Sequence, residues 1–394
     1  MNNLFVFCDL YAISLAMAYT MYPDWPQSDE DLVPLPLVDG PKLKPFDFQG
    51  PQTIKFLEHA GEGLHAHVFK VDIRGQIYAL KLFRFTYDYN WLGPADDTDP
   101  NDRELMSAFY NYSEPFSCEC RAFGRLQEAG CEALAVRCFG YVLLDEDHER
   151  ALDERFGLSF DGDVDDFGGD EMRTRFLGKD GRAPPIRGIV KQFGRVEDEE
   201  KLRPAFFRKM LGDVRRLQKL GIMHLDVATR QVVDDRFSDF STAITVPHFL
   251  TTPELNPGLT PDMRSAMEFQ TFTWAMADYL EFDEMMFSWN NDYADQKGSI
   301  SVRAFPGGMG CRHHYQLRSK AAQECVFTFV DPRRYDWRRR PRAENKSRRL
   351  RRARPWFYDC RGNRRLAAEL KGREPCDVRV VHWDYSDGFI FPQV

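Results

Sequence analysis

The sequence has no excess of positive charge: 53 Lys and Arg stand against 61 Asp and Glu, a formal net of −8. A globally basic nucleic-acid binder is excluded, although a local basic patch is not. There is no CxxC pair, and the nine cysteines are an odd number spread over a long chain. A disulfide framework is therefore not expected, and a reducing, intracellular compartment is the better reading. Clean apolar runs of spanning length are missing too. The nearest, residues 4–22, is interrupted by Asp9, and no Lys or Arg precedes Lys42. A spanning helix wants about 20 apolar residues and a secretory leader a positive start, so no membrane partner is expected. Met21 opens a segment that reads as a natural start, which places residues 1–20 outside the expected folded unit.

What the chain does have is apolar and aromatic mass. Of 394 residues, 43% are hydrophobic and 14% aromatic, with 32 Phe. That suffices for a large core and excludes wholesale disorder or a fibre. The length suits two domains, or one two-lobed domain with insertions. Charge is unevenly distributed. From Arg333 to Arg354 there are 12 Lys and Arg against 2 Asp and Glu, a net of +10, while residues 1–332 carry −18. The basic run reads as a nuclear-localisation signal, a patch for an acidic partner or nucleic acid, or a strap neutralising the acidic body. Trp337 and Trp356 bracket it, which suggests an anchored segment.

Residues 1–52, with seven prolines between Pro23 and Pro51, read as an extended arm. Strands are expected at 53–59, 67–73 and 76–83, the last two joined by an Arg74-Gly75 turn. Residues 84–112 read as a polar, acidic insertion. A helix is expected over 114–129 on the stripe Phe116, Cys120, Phe123 and Leu126, then strands at 134–144 and 186–193. Between those strands, residues 145–185 hold 13 acidic and 6 basic residues, and the expectation is a mobile loop. A helix over 203–220 follows, with Phe206, Met210, Val214 and Leu217 as its stripe and Gly221 past its end. The aromatic-rich run 267–290 reads as a core helix. Cys311, His313 and His314 have no second ligand pair at metal-binding spacing.

Several short patterns carry chemistry. Gly61-Glu62-Gly63-Leu64-His65-Ala66-His67-Val68 lies at the turn between the first two strands, where glycines let backbone N–H groups close over phosphates. Tyr78-Ala79-Leu80-Lys81 ends the third strand. A lysine there needs a partner, because an unpaired buried ammonium is costly, and Glu119 on the next helix is the natural one. After the long helix comes Met223-His224-Leu225-Asp226-Val227-Ala228-Thr229-Arg230-Gln231, and thirteen residues past Asp226 comes Asp239-Phe240-Ser241.

In this order, on these elements, the four patterns resemble the glycine-rich loop, the strand lysine, the catalytic loop and the metal-binding tripeptide of protein kinases. The resemblance runs from about residue 53 to 300. Within it the chain is most similar to a divergent fungal kinase-like family named after a kinetochore subunit of the Sim-complex Fta type. The stretches that suggest this are FLEHAGEGLHAHVFKV, QIYALKLF, ECRAFGRL, GIMHLDV, DFSTAITVPHF and TPELNP.

The resemblance implies an α+β, two-lobed protein-kinase-like fold. It has a small β-rich N-lobe over 53–193 with acidic insertions at 84–112 and 145–185, a helical C-lobe over 194–300, and a basic C-terminal extension over 301–394. It implies ATP and Mg²⁺ as cofactors. Gly61, Gly63, Val68, Ala79 and Lys81 would bind nucleotide, Lys81 aligned by Glu119; Asp239 and Gln231 would hold metal, and Asp226 would be the catalytic base.

The departures are Ala66 for the third glycine, Leu225 for an arginine, Gln231 for an asparagine one methylene shorter, and Ser241 for a glycine. The segment from Asp239 to Glu254 is short. Two main readings follow: an ATP-dependent phosphotransferase with an unknown phosphate acceptor, or a catalytically inactive kinase-like interaction module at the kinetochore or chromatin with a protein partner. A small-molecule kinase is a third. A nuclear location is the corresponding expectation.

Overall fold

The computed structural model describes residues 21–88, 91, 102–161, 172–304, 326–338, 355–359, 383–386 and 389–392. The chain forms two compact units, Met1–Arg125 with Arg137–Gly194 and Thr252–Gly258, and Leu126–Val136 with Arg195–Thr251 and Leu259–Val394. It is a mixed α and β protein with an antiparallel sheet and helices. No helix among the described residues is long and apolar enough to cross a membrane.

The first unit is organised by a five-stranded sheet in the order β1-β2-β3-β5-β4. Its strands are β1 (Lys55–Glu62), β2 (Ala66–Ile73), β3 (Gln76–Phe83), β4 (Cys138–Leu143) and β5 (Arg187–Gln192), and every pairing is antiparallel. β2 and β3 are joined by a two-residue turn with positive φ at Arg74 and Gly75, the backbone that suits the right-handed twist of a hairpin. The Asp72 carboxylate helps to hold it, accepting from the Gly75 N–H at 2.7 Å.

The insertion at 84–112 carries a helix, and the mobile loop expected over 145–185 is corrected at its start. Helix α1 (Arg103–Ser113) lies largely inside the 84–112 segment and starts at Asp102, whose side chain accepts from the Leu105 N–H. It buries Met106, Phe109, Tyr110 and Tyr112, so its aromatic spacing outweighs its polar surroundings. Helix α3 (Glu146–Phe156) replaces the start of the loop expected over 145–185; Asp145 caps it and Gly157 ends it with φ 59°. One acid of that stretch is drawn into the packing. Glu149 takes both Arg173, at 2.7 Å, and the Ile186 N–H, at 2.6 Å. Acids in the first turn also complement the helix dipole.

Helix α2 (Pro115–Glu128) buries Phe116, Cys120, Phe123 and Leu126, the stripe read from the sequence, together with Cys118 and Glu119. The described part of the N-terminal arm is extended and lies against the first unit. Leu35 and Leu43 pair by two backbone bonds, the Phe46 N–H donates to the Tyr141 carbonyl, and the Tyr141 hydroxyl donates to the Val33 carbonyl. At Gly124 the arm passes so close that a Cβ would stand 2.5 Å from the Lys42 carbonyl oxygen. Residues 1–20 lie outside the described residues.

In the second unit, helix α4 (Pro204–Lys219) buries Phe207, Met210, Val214 and Leu217. The first member of its stripe is thus Phe207 rather than Phe206, one step around the helix. Two short antiparallel pairs follow, β6 (Ile222–Met223) with β9 (Ile244–Thr245), and β7 (Val232–Val233) with β8 (Arg236–Phe237). Helix α5 (Pro261–Lys297) is capped by Thr260 and buries Tyr279, Phe282, Met286 and Trp289. Residues beyond it contribute a four-stranded sheet in the order β10-β11-β13-β12, from β10 (Val326–Val330), β11 (Pro355–Asp359), β12 (Trp383–Ser386) and β13 (Phe389–Pro392). The C-terminal region is therefore more than a basic extension. Most of the basic run, 339–354, and the Cys311, His313 and His314 group lie outside the described residues. At the start of that run, the Asp331 carboxylate holds Arg333 at 3.0 Å and Arg334 at 3.4 Å.

Candidate functional site

In the first unit the ladder places Gly61 opposite Val68, Val68 opposite Lys81, and Ala79 opposite Lys191. Side chains alternate along a strand and paired residues share a face, so Gly61, Val68, Ala79, Lys81 and Lys191 belong to one face of the sheet. Helix α2 presents Glu119 to it. The Lys81 ammonium lies 2.7 Å from one Glu119 carboxylate oxygen and the Lys191 ammonium 2.5 Å from the other. All three side chains are buried. One carboxylate thus answers two ammoniums, and each bond is charge-assisted.

The glycine turn is tight: the Gly63 N–H donates to the Ala66 carbonyl at 2.9 Å. Neither Gly61 nor Gly63 has a positive φ, and a Cβ at either would meet open space. The turn itself therefore does not demand glycine at these positions.

In the second unit the loop after β6 carries Asp226. Both of its carboxylate oxygens are occupied, one by the Arg230 guanidinium and one by the Gln231 amide. Gln231, which the resemblance cast as a metal ligand, donates its Nε2–H to Asp226, while a metal would take its Oε1. Asp239 accepts the Ser241 N–H at 2.8 Å, a local turn two residues long. His224 is buried against Phe237 and Phe240, with ring centroids at 4.5 and 5.1 Å. Burial lowers its pKa to about 4, although the nearby Asp239 and Asp226 charges act to raise it. A neutral, enclosed ring is a structural post rather than a proton carrier at pH 7.

Two acids that the sequence reading passed over hold this loop. Leu225 sits at φ 59°, a left-handed backbone that costs a leucine about 1 kcal/mol or more. Its N–H and that of His224 converge on the Asp278 carboxylate of α5, at 2.8 and 3.0 Å. Gln218 adds a third bond to Asp278, at 2.9 Å. One helical turn further on, Glu281 accepts the Val227 N–H at 2.8 Å. Burial raises Asp278 to about 6 and Glu281 to about 7. Acids at 278 and 281 inside an otherwise aromatic helix were the visible signal, as was a lysine inside the apolar strand that holds Lys191.

The model of the family described as Kinetochore Sim4 complex subunit FTA2 matches residues 32–244. No curated protein matches the chain. The match runs from the arm through β9 and takes in Lys81, Glu119, Asp226 and Asp239, more than half of the sequence. On that extent the chain belongs to the Kinetochore Sim4 complex subunit FTA2 family.

Proposed function

We propose that the chain is a nuclear, protein-binding subunit of a Sim4-type kinetochore complex, built on a two-lobed kinase-like scaffold that works by interaction rather than catalysis. The family match over residues 32–244 carries this reading. The state of Asp226 supports it: the residue in the position of a base has both oxygens engaged within its own loop. The scaffold part of the reading is supported by the sheet order β1-β2-β3-β5-β4, with α2 and its glutamate inserted between β3 and β4.

A second reading, phosphotransfer with ATP and Mg²⁺, is favoured by the buried Lys81–Glu119 pair. Gly61, Val68, Ala79 and Lys81 share a sheet face and, with Gly63 in the adjoining turn, would hold the nucleotide, and Asp239 would take the metal. Gln231 would add its Oε1, its Nε2–H being the donor to Asp226. When bound, MgATP would supply the transferable phosphoryl group; in this chain Lys81 would orient it.

The test has two arms. A tagged chain carrying Lys81→Ala and Asp226→Asn is compared with wild type for kinetochore localisation and for binding to recombinant subunits of the complex. Thermal shift with MgATP is then measured on wild type, Lys81→Ala and Asp239→Ala. Retained localisation and assembly, with no nucleotide shift, is the expected result. A saturable shift lost in both single variants, with function lost in the double variant, would replace the interaction reading by phosphotransfer, since a ligand of the native state stabilises it by mass action.

A further inference from the structure

On the opposite face of the same sheet, β1 and β2 bring three metal-ligating side chains together. Glu62 pairs with His67 across the ladder, and His59 pairs with Phe69, two residues along from His67. His59 and Glu62 are three apart in one strand, which in a regular strand would put them on opposite faces. The irregularity between His59 and Gly61 adds one residue to β1 and restores them to the same face. Such a bulge re-aims a side chain. The result is a His, Glu, His group whose ligand atoms all lie within 4.8 Å of one another.

Two edges of this group have the size a metal requires. The His59 Nε2 to His67 Nδ1 distance is 3.2 Å, and His67 Nδ1 to the Glu62 carboxylate is 3.4 Å. Ligands about 2.0–2.1 Å from a tetrahedral Zn²⁺ stand roughly 3.3–3.4 Å apart. His67 is buried, while Glu62 is exposed at the mouth. Phe69 and Phe160 wall the His67 ring, with centroids at 6.3 and 5.1 Å, and Phe156 lies 6.4 Å from His59. An apolar wall with one open side leaves a fourth position for water.

We infer that His59 Nε2, His67 Nδ1 and a Glu62 carboxylate oxygen form a binding site for a Zn²⁺-class divalent transition-metal ion, open to solvent at its fourth position. Imidazole and carboxylate together suit Zn²⁺ better than Mg²⁺ or Ca²⁺, which prefer oxygen donors.

Arg84 fixes how the ion enters. Its Nε–H donates to His67 Nε2 at 3.0 Å, and its Nη2 lies 3.3 Å from Glu62. With Nε2 accepting, the neutral ring carries its proton on Nδ1, the atom that faces the other two ligands. Metal binding moves that proton from Nδ1 to Nε2 and breaks the Arg84–His67 bond, because Nε2 then donates. The guanidinium is then the ion's competitor: it bridges His67 and Glu62 when metal is absent and must turn outward when metal binds.

The test is a titration of the full-length chain with Zn²⁺ by calorimetry, and with Co²⁺ as a probe whose visible absorption reports four-coordinate geometry. Wild type is compared with His59→Gln, Glu62→Gln and Arg84→Gln. His59 and Glu62 are not buried, so these variants keep the fold, and far-ultraviolet circular dichroism checks that they do. The expected result is one equivalent whose affinity falls at least about tenfold in His59→Gln and in Glu62→Gln. In Arg84→Gln it should rise. Cysteine sites elsewhere would bind equally in all four proteins. Binding unchanged by His59→Gln and Glu62→Gln, or weakened by Arg84→Gln, would overturn the site.

Discussion

Replacing Glu119 by Gln should destabilise the first unit more than any single change at the lysines it holds. The substitution keeps the size of the side chain and removes its charge. Two ammoniums lie 2.7 and 2.5 Å from that carboxylate, and their side chains are only 5% and 7% exposed. Removing one partner of a buried ion pair costs about 3–5 kcal/mol, because desolvated charge loses the carboxylate that offsets it. Lys191→Met behaves differently: the Lys81–Glu119 pair survives as a neutral couple, and the methionine fills the vacated volume. Its cost should be less than half as large. Urea denaturation followed by circular dichroism measures both, with the slope compared to confirm that the unfolding transition is of the same kind. A loss below about 1 kcal/mol for Glu119→Gln would refute the argument, because a buried counter-ion cannot be that dispensable. So would equal costs for the two variants, which would mean that packing rather than charge holds the cluster.

Four further outcomes are expected. Gly124→Ala, ordinarily a helix-stabilising change of about 0.5–1 kcal/mol, should here be destabilising. Its Cβ would stand 2.5 Å from the Lys42 carbonyl, so limited proteolysis should cut the arm faster. Glu281→Gln should change the pH dependence of stability. Folded Glu281 keeps its proton to about pH 7, so its contribution is full below its unfolded pKa and is lost as pH rises through 7. Wild type relative to the variant should weaken by about 2 kcal/mol between pH 5 and 8 in urea melts. His224 has the opposite sign: lowered to about 4, it favours the fold above its unfolded pKa and withdraws that support as pH falls toward 4. Finally, Glu114→Gln should cost about 3–5 kcal/mol. It strands Arg187, which is fully buried, bonded to Glu114 at 2.9 Å and packed on Phe85 and Tyr22. The double variant with Arg187→Met should recover part of that loss in the same melts.

The regular elements were legible where spacing was strong. Phe116, Cys120, Phe123 and Leu126 define α2 by a period near 3.6, and Arg74-Gly75 marks the β2–β3 hairpin. The helices in the stretches from 84 and from 145 were passed over because the acids there drew the reading toward polar insertions. Composition does not show that Glu149 is matched by Arg173, or that Asp102 and Asp145 sit at helix starts, where an acid helps. The Phe206 and Phe207 choice failed for a smaller reason: two adjacent phenylalanines fit one stripe almost equally, and only packing separates them.

Of the candidate sites, the sequence by itself determined the chemical cast: Lys81 at a strand end, Glu119 on the following helix, and Asp226 and Asp239 after α4. Those residue types and spacings are local properties, readable without coordinates. Tertiary structure alone decided how the groups are spent. It gave Glu119 a second ammonium from Lys191, turned Arg230 and Gln231 onto Asp226, and hung the strained Leu225 backbone from Asp278, more than fifty residues away. It also placed His59, Glu62 and His67 on one face through a single irregularity in β1. The physical reason is common to all of these. A charge or hydrogen-bonding group is matched by whatever the fold brings within about 3 Å, and that neighbour is set by strand register and helix docking rather than by distance along the chain.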